Sequence, residues 1–115
     1  MSYDLRIGVK VEGCDQYAEI ARPEYDSPTY NLRDMFVGCM NWNYSQGEWY
    51  KCDEVINYIE RGIKELHTNR KEYKKYNPPN GWGSIDSAIE ALESARQRIY
   101  ECAEEIPMNC LYFRW

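Results

Sequence analysis

The stretch Leu5-Arg6-Ile7-Gly8-Val9-Lys10-Val11-Glu12 places an apolar side chain at every second position, with Arg6, Gly8, Lys10 and Glu12 between them. Successive side chains of a strand point to opposite faces, so this period of two marks a half-buried strand. Glu12-Gly13-Cys14-Asp15 supplies a turn and Tyr17 to Ala21 a returning strand, an N-terminal hairpin that Arg22-Pro23 ends. Near the other end, Leu111, Phe113 and Trp115 alternate with Tyr112 and Arg114. This closing strand is expected beside the first, because its apolar residues would otherwise face water.

Between these strands the apolar spacing becomes helical. Asn31 is the expected cap of a first helix with Leu32, Met35, Phe36, Cys39 and Met40 on one stripe. A second helix begins near Asp53 and turns Val55, Ile56, Ile59, Ile63 and Leu66 inward, with Glu60–Lys64 and Arg61–Glu65 spaced to pair on its wet side. Arg70 to Tyr76 adds one or two helical turns before Pro78 and Pro79. A third helix runs from about Ser84 to Glu105, with Ser84 or Ser87 as its cap and Ile85, Ala88, Ile89, Leu92, Ala95, Ile99, Cys102 and Ala103 inward. The order β-β-α-α-α-β predicts a single α+β domain over residues 1–115: a small antiparallel or mixed three-stranded sheet with helices packed on one face.

Composition narrows the function classes. The chain has 19 acidic and 14 basic residues, a net charge of −5, which disfavours duplex nucleic acid and suits either a soluble acidic surface or a basic groove on another protein. Five cysteines without a C-x₂-C pair point to reduced thiols in a cytoplasm rather than to zinc or a disulfide framework, and no metal or cofactor is expected. Asp4 and Arg6 interrupt any signal peptide, and no apolar run approaches membrane length. Aromatic content reaches 15%, with eleven tyrosines and four tryptophans; these residues serve binding faces as well as thin cores.

Three constellations are candidates for binding. In Asn41–Tyr50, the rings of Trp42, Tyr44, Trp49 and Tyr50 are too many for one short stretch to bury, so several are expected to line a cleft beside the Trp82 loop or a protein-facing patch, with Tyr25 and Tyr30 at its rim. Glu101, Glu104 and Glu105 put negative charge at the negative end of a helix dipole, which a basic partner, or equally a neighbouring Arg114, would relieve. The loop Asn77-Pro78-Pro79-Asn80-Gly81-Trp82-Gly83-Ser84 holds an indole before a helix N-terminus, downstream of Arg70, Lys71, Lys74, Lys75 and Tyr76. With Gly81, Trp82, Gly83 and Ser84 this cluster suits a nucleotide's base and phosphates, or else a solvated basic turn whose tryptophan fills the core. It lacks the third glycine of a dinucleotide fingerprint and the lysine of a P-loop. His67 is the sole histidine; a thiol beside it would make a small hydrolase, but no flanking sequence announces a nucleophile, and no catalytic residue is assigned.

Taken together, Met1-Ser2-Tyr3-Asp4-Leu5, Ser27-Pro28-Thr29-Tyr30-Asn31-Leu32 and the Asn77–Ser84 loop resemble a family of small bacteriophage and prophage proteins, chiefly of gut Firmicutes. That family carries no activity or functional residues to transfer. The resemblance implies a small accessory phage protein in a bacterial cytoplasm, of a kind that often binds host components, defence systems included. The leading expectation is therefore a non-enzymatic inhibitor of a host protein with a basic surface, using Trp42, Tyr44, Trp49, Tyr50, Trp82 and the acidic helix end. A nucleotide-sequestering protein is the alternative, the thiol hydrolase a more distant one. A homodimer through a sheet edge or the aromatic patch is also open.

Overall fold

A computed structural model of the chain describes residues 1–79, 81 and 83–115. The N-terminal hairpin forms as the alternation requires: β1 spans Arg6–Lys10 and β2 Tyr17–Ala21, antiparallel, with a bulge between Ile7 and Gly8. β4, Leu111–Arg114, lies on the other side of β1, antiparallel, with Phe113 opposite Ile7 and Arg114 opposite Arg6. Among the described residues the sheet has four strands rather than three. Trp49–Lys51 forms β3 on the outer edge of β4, and the order across the sheet is β2-β1-β4-β3. A strand of three residues is too short to show a period, and its pairing depends on β4, which the sequence supplies much later.

The helices are α1 (Arg33–Met40), α2 (Cys52–Thr68), the single turn α3 (Arg70–Tyr73) and α4 (Ile85–Ala103). A 3-10 turn at Tyr30–Leu32 precedes α1, and its cap is Thr29, whose hydroxyl accepts the Asn31 N–H at 3.3 Å. Asn31 is thus inside the turn rather than capping it. Asn41 ends α1 in the left-handed region at φ 51°, a conformation that asparagine tolerates better than most residues. α2 opens with Asp53 and Glu54 against the positive end of its dipole and buries Val55, Ile56, Ile59, Ile63 and Leu66. A Cβ at Gly62 would meet the Met40 side chain at 2.8 Å, so glycine there lets α1 and α2 approach closely. Ser84 caps α4 by accepting the Ser87 N–H at 3.2 Å; the helix stops at Ala103, and Glu104 and Glu105 fall in the turn beyond it.

α2 and α4 pack over one face of the sheet, where Ile7, Leu111 and Phe113 are fully buried, and α1 packs against α2. Rings from distant parts of the chain complete this interior: Tyr3, Phe36, Tyr44 and Trp115 pack together, with Tyr44 stacked on Trp115 at 4.5 Å. The opposite face, free of helices, carries Gly8, Tyr17, Trp49, Lys51, Tyr112 and Arg114.

Candidate functional site

The aromatic segment divides between interior and surface. Tyr44 belongs to the core, with 1% of its surface exposed; its hydroxyl meets that of Tyr3 at 2.5 Å, and burial raises its pKa. The Arg33 guanidinium sits 4.7 Å above its ring and donates to the Tyr44 carbonyl at 3.0 Å. The expectation of Tyr44 at a partner's surface is corrected accordingly: Tyr3 and Trp115, remote in sequence, enclose it. Trp42 is half-buried and stacks on Tyr58 of α2 at 4.5 Å. Tyr50, also half-buried, packs edge-on to Trp42 at 4.9 Å, accepts the Ser45 N–H and donates to Glu48. Trp49 points the other way, onto the helix-free face. Tyr25 and Tyr30, expected at the rim, are half-buried against the core. Trp82 lies outside the described residues.

Glu101 lines a cleft of about 740 Å³ between α4 and the segment 22–27. The segment is fastened to the helix by the Tyr25 N–H, which donates to Ser94 Oγ at 2.9 Å. Glu24, Asp26, Glu90, Glu93 and Glu101 line it, five carboxylates against the guanidinium groups of Arg22 and Arg98. Arg22 is already shared among Glu19 at 3.0 Å, Asp4 at 3.2 Å and Asp26 at 3.5 Å, and Arg98 reaches Glu101 at 3.8 Å. The Arg6 guanidinium, hydrogen-bonded to Asp4, holds that carboxyl below its ordinary range. The cleft is therefore acidic. Glu90, Glu93 and Glu101 recur at helical spacing on one stripe of α4, a signal present in the sequence that the dipole argument for Glu101 alone passes over. Glu104 and Glu105 are exposed and form no ion pair among the described residues; Arg114 lies on the sheet and does not reach them.

The proposed ligand cluster is dispersed. Arg70 is paired with Asp86 at 2.5 Å, while Lys71 and Lys74 are exposed. Lys75 lies 5.1 Å over the Tyr76 ring, and the two line a cleft of about 380 Å³ with Arg33 and Asp34. Gly83 opens onto a different cleft, of about 690 Å³, with Thr29 and Ser87. Ser84 is engaged as the α4 cap, and Gly81 is exposed.

His67 faces Glu93, with Nε2 3.4 Å from the carboxylate, rather than a thiol. Burial pushes the Cys39 and Cys52 thiols up to about 12, which removes the thiolate that nucleophilic chemistry requires. Cys14 and Cys110 are exposed. Among the described residues no His, Cys, Asp or Glu cluster is arranged to hold a metal, and no helix is long and apolar enough to cross a membrane. No family model matches the chain, and no curated protein or solved structure matches it significantly.

Proposed function

We propose that this chain is a non-enzymatic bacteriophage accessory protein that binds a basic surface of a host protein and inhibits it in the bacterial cytoplasm. The observation that carries the reading is the α4 cleft, where five carboxylates outnumber two guanidinium groups that are themselves already paired. Such a concave acidic surface attracts Lys and Arg side chains and steers a basic partner toward it. Glu104 and Glu105 continue the negative charge past the end of α4, where a partner's cations would also relieve the helix dipole. Trp42 and Tyr58 add ring surface of the kind that interface centres favour. The phage setting, and a component of antiphage defence as the target, come from the family resemblance.

The test is affinity capture with the intact chain from a host that carries the defence. A stoichiometric partner should be recovered by the unaltered protein and lost with Glu93→Lys and Glu101→Lys together, while circular dichroism stays unchanged. Phage plating on that host should rise with the unaltered protein and not with the charge-reversed one. Recovery that survives the reversal would remove the cleft from the reading.

Nucleotide sequestration is a second reading, favoured by Lys75, Tyr76 and Arg33 around one cleft. A nucleotide at a hundred times its dissociation constant adds about 2.7 kcal/mol of stability, so a thermal-shift panel of cyclic and linear nucleotides decides it. A flat panel rejects it.

A further inference from the structure

On the helix-free face, Trp49 reaches across the sheet until its six-membered ring lies over Gly8, where an added Cβ would approach it to 2.9 Å. It stacks there on Tyr17, ring centroids 5.3 Å apart and planes within 12°, and Tyr112 meets Tyr17 edge-on at 4.9 Å. All three rings are half-buried, so they hold one another in place and keep aromatic surface in contact with water.

The charges around these rings break a local rule. Arg114 lies directly opposite Arg6 in the ladder, and like charges in that position repel. Arg6 is satisfied by Asp4 and by Glu19 at 3.2 Å. Arg114 makes no ion pair among the described residues, and its Nε is buried without a hydrogen-bond partner. Lys51, opposite Tyr112, also makes none, and Lys10, opposite Tyr17, has only the fully solvated Asp15 at 3.6 Å. Counting the carboxylates that border it, Arg6, Lys10, Lys51 and Arg114 meet Asp4, Asp15 and Glu19, so this ring-bearing face keeps a small positive excess on a chain of net charge −5.

We propose that this face binds single-stranded nucleic acid, with bases laid against Trp49, Tyr17 and Tyr112 and phosphates held by Arg114, Lys51 and Lys10. Unpaired bases have open π-faces that stack on exposed rings without regard to sequence, and their phosphates meet cations at the margin. A duplex hides those faces and brings a denser charge toward an acidic molecule. A basic protein would meet Arg114 and Lys51 with like charge, and an acidic peptide would leave the rings unused. The acidic α4 cleft does not enter the reading, so each stands or falls without the other.

Fluorescence anisotropy with the intact protein tests it, using labelled oligothymidylate, oligouridylate and a matched duplex of about a dozen nucleotides at low salt. One or both single strands should saturate, with the duplex at least about tenfold weaker. The comparison between deoxy and ribo strands identifies which sugar the face accepts. Trp49→Ala should weaken single-strand binding about tenfold. Lys51→Glu, on an exposed side chain and so without risk to folding, should weaken it too and lower the log–log salt slope by at least about 0.7. The reading is overturned by the absence of saturable binding, by a duplex that binds as tightly as the single strands, or by indifference to Lys51→Glu. A dimer in sedimentation that Trp49→Ala dissolves would assign the face to a second copy of the chain, and would equally overturn it.

Discussion

Trp115 and Trp49 occupy opposite faces of the same sheet and have opposite fates. Trp115 retains 2% of its surface and is enclosed by Tyr3, Phe36, Tyr44 and Phe113. Trp49 has Tyr17 beside it, Gly8 beneath it and Arg114, whose buried Nε has no hydrogen-bond partner, opposite it in the ladder. Aromatic richness in one small domain therefore serves two ends. The inner rings supply the area that holds the fold together, and the outer ones retain area that is still open to contact.

The largest expected effect tests the inner side. Trp115→Ala should lower stability by about 3–5 kcal/mol in urea unfolding, while Trp49→Ala should lower it by only about 0.5–1.5 kcal/mol. Equal losses would make the outer rings a second core and erase the contrast. Alkaline pH comes next. With Cys39 and Cys52 at about 12 against an ordinary 9.0, the unfolded chain ionises first; stability is fully present below about pH 9 and falls as pH climbs toward 12. Replacing both by alanine should flatten part of that decline, though not all, because buried Tyr3 and Tyr44 act in the same direction. Thiol reagents on the native protein should modify Cys14 and Cys110 and spare Cys39 and Cys52.

Smaller effects sharpen the boundary between the two faces. Gly8→Ala sets a methyl group 2.6 Å from the Ala18 carbonyl oxygen and 2.9 Å from Trp49, and should destabilise by about 1–3 kcal/mol. Adding Trp49→Ala should not restore the loss, since the backbone carbonyl remains; full rescue would mean that the ring alone excludes a side chain. Tyr3→Phe leaves the Tyr44 hydroxyl without its buried partner and should lower stability by about 1–3 kcal/mol, with the double change to phenylalanine costing less than the sum. Smallest of all, Glu104→Lys and Glu105→Lys should each raise stability by about 0.3–1 kcal/mol through the helix dipole, whatever they do to partner capture.

The sequence makes the hairpin, β4 and the apolar faces of α1, α2 and α4 legible, because each announces itself by a period within its own residues. What it conceals depends on pairing at a distance. β3 exists because β4 offers an edge to it, and Tyr44 is buried because Tyr3 and Trp115 converge on it. Of the proposed surface residues, Glu101 was readable from its conflict with the dipole, but the cleft around it forms only when segment 22–27 packs on α4. Alternation gave Arg114 and Tyr112 a common or opposite side relative to their neighbours, yet it could not foretell that Gly8 would leave room for Trp49 between them and Tyr17.

The central seam of the sheet joins Arg6–Val9 to Leu111–Arg114, so the middle of the architecture closes between the two most widely separated strands of the chain. Synthesis delivers the hairpin well before the strand that must lie beside it. Until that strand emerges, the flank of β1 is an unzipped edge, and the helices have only part of a floor to settle on. Non-local closure of this kind slows folding and lengthens exposure to misassembly. A chain truncated before Leu111 should consequently remain protease-sensitive, whereas the chain that includes Leu111–Trp115 should resist.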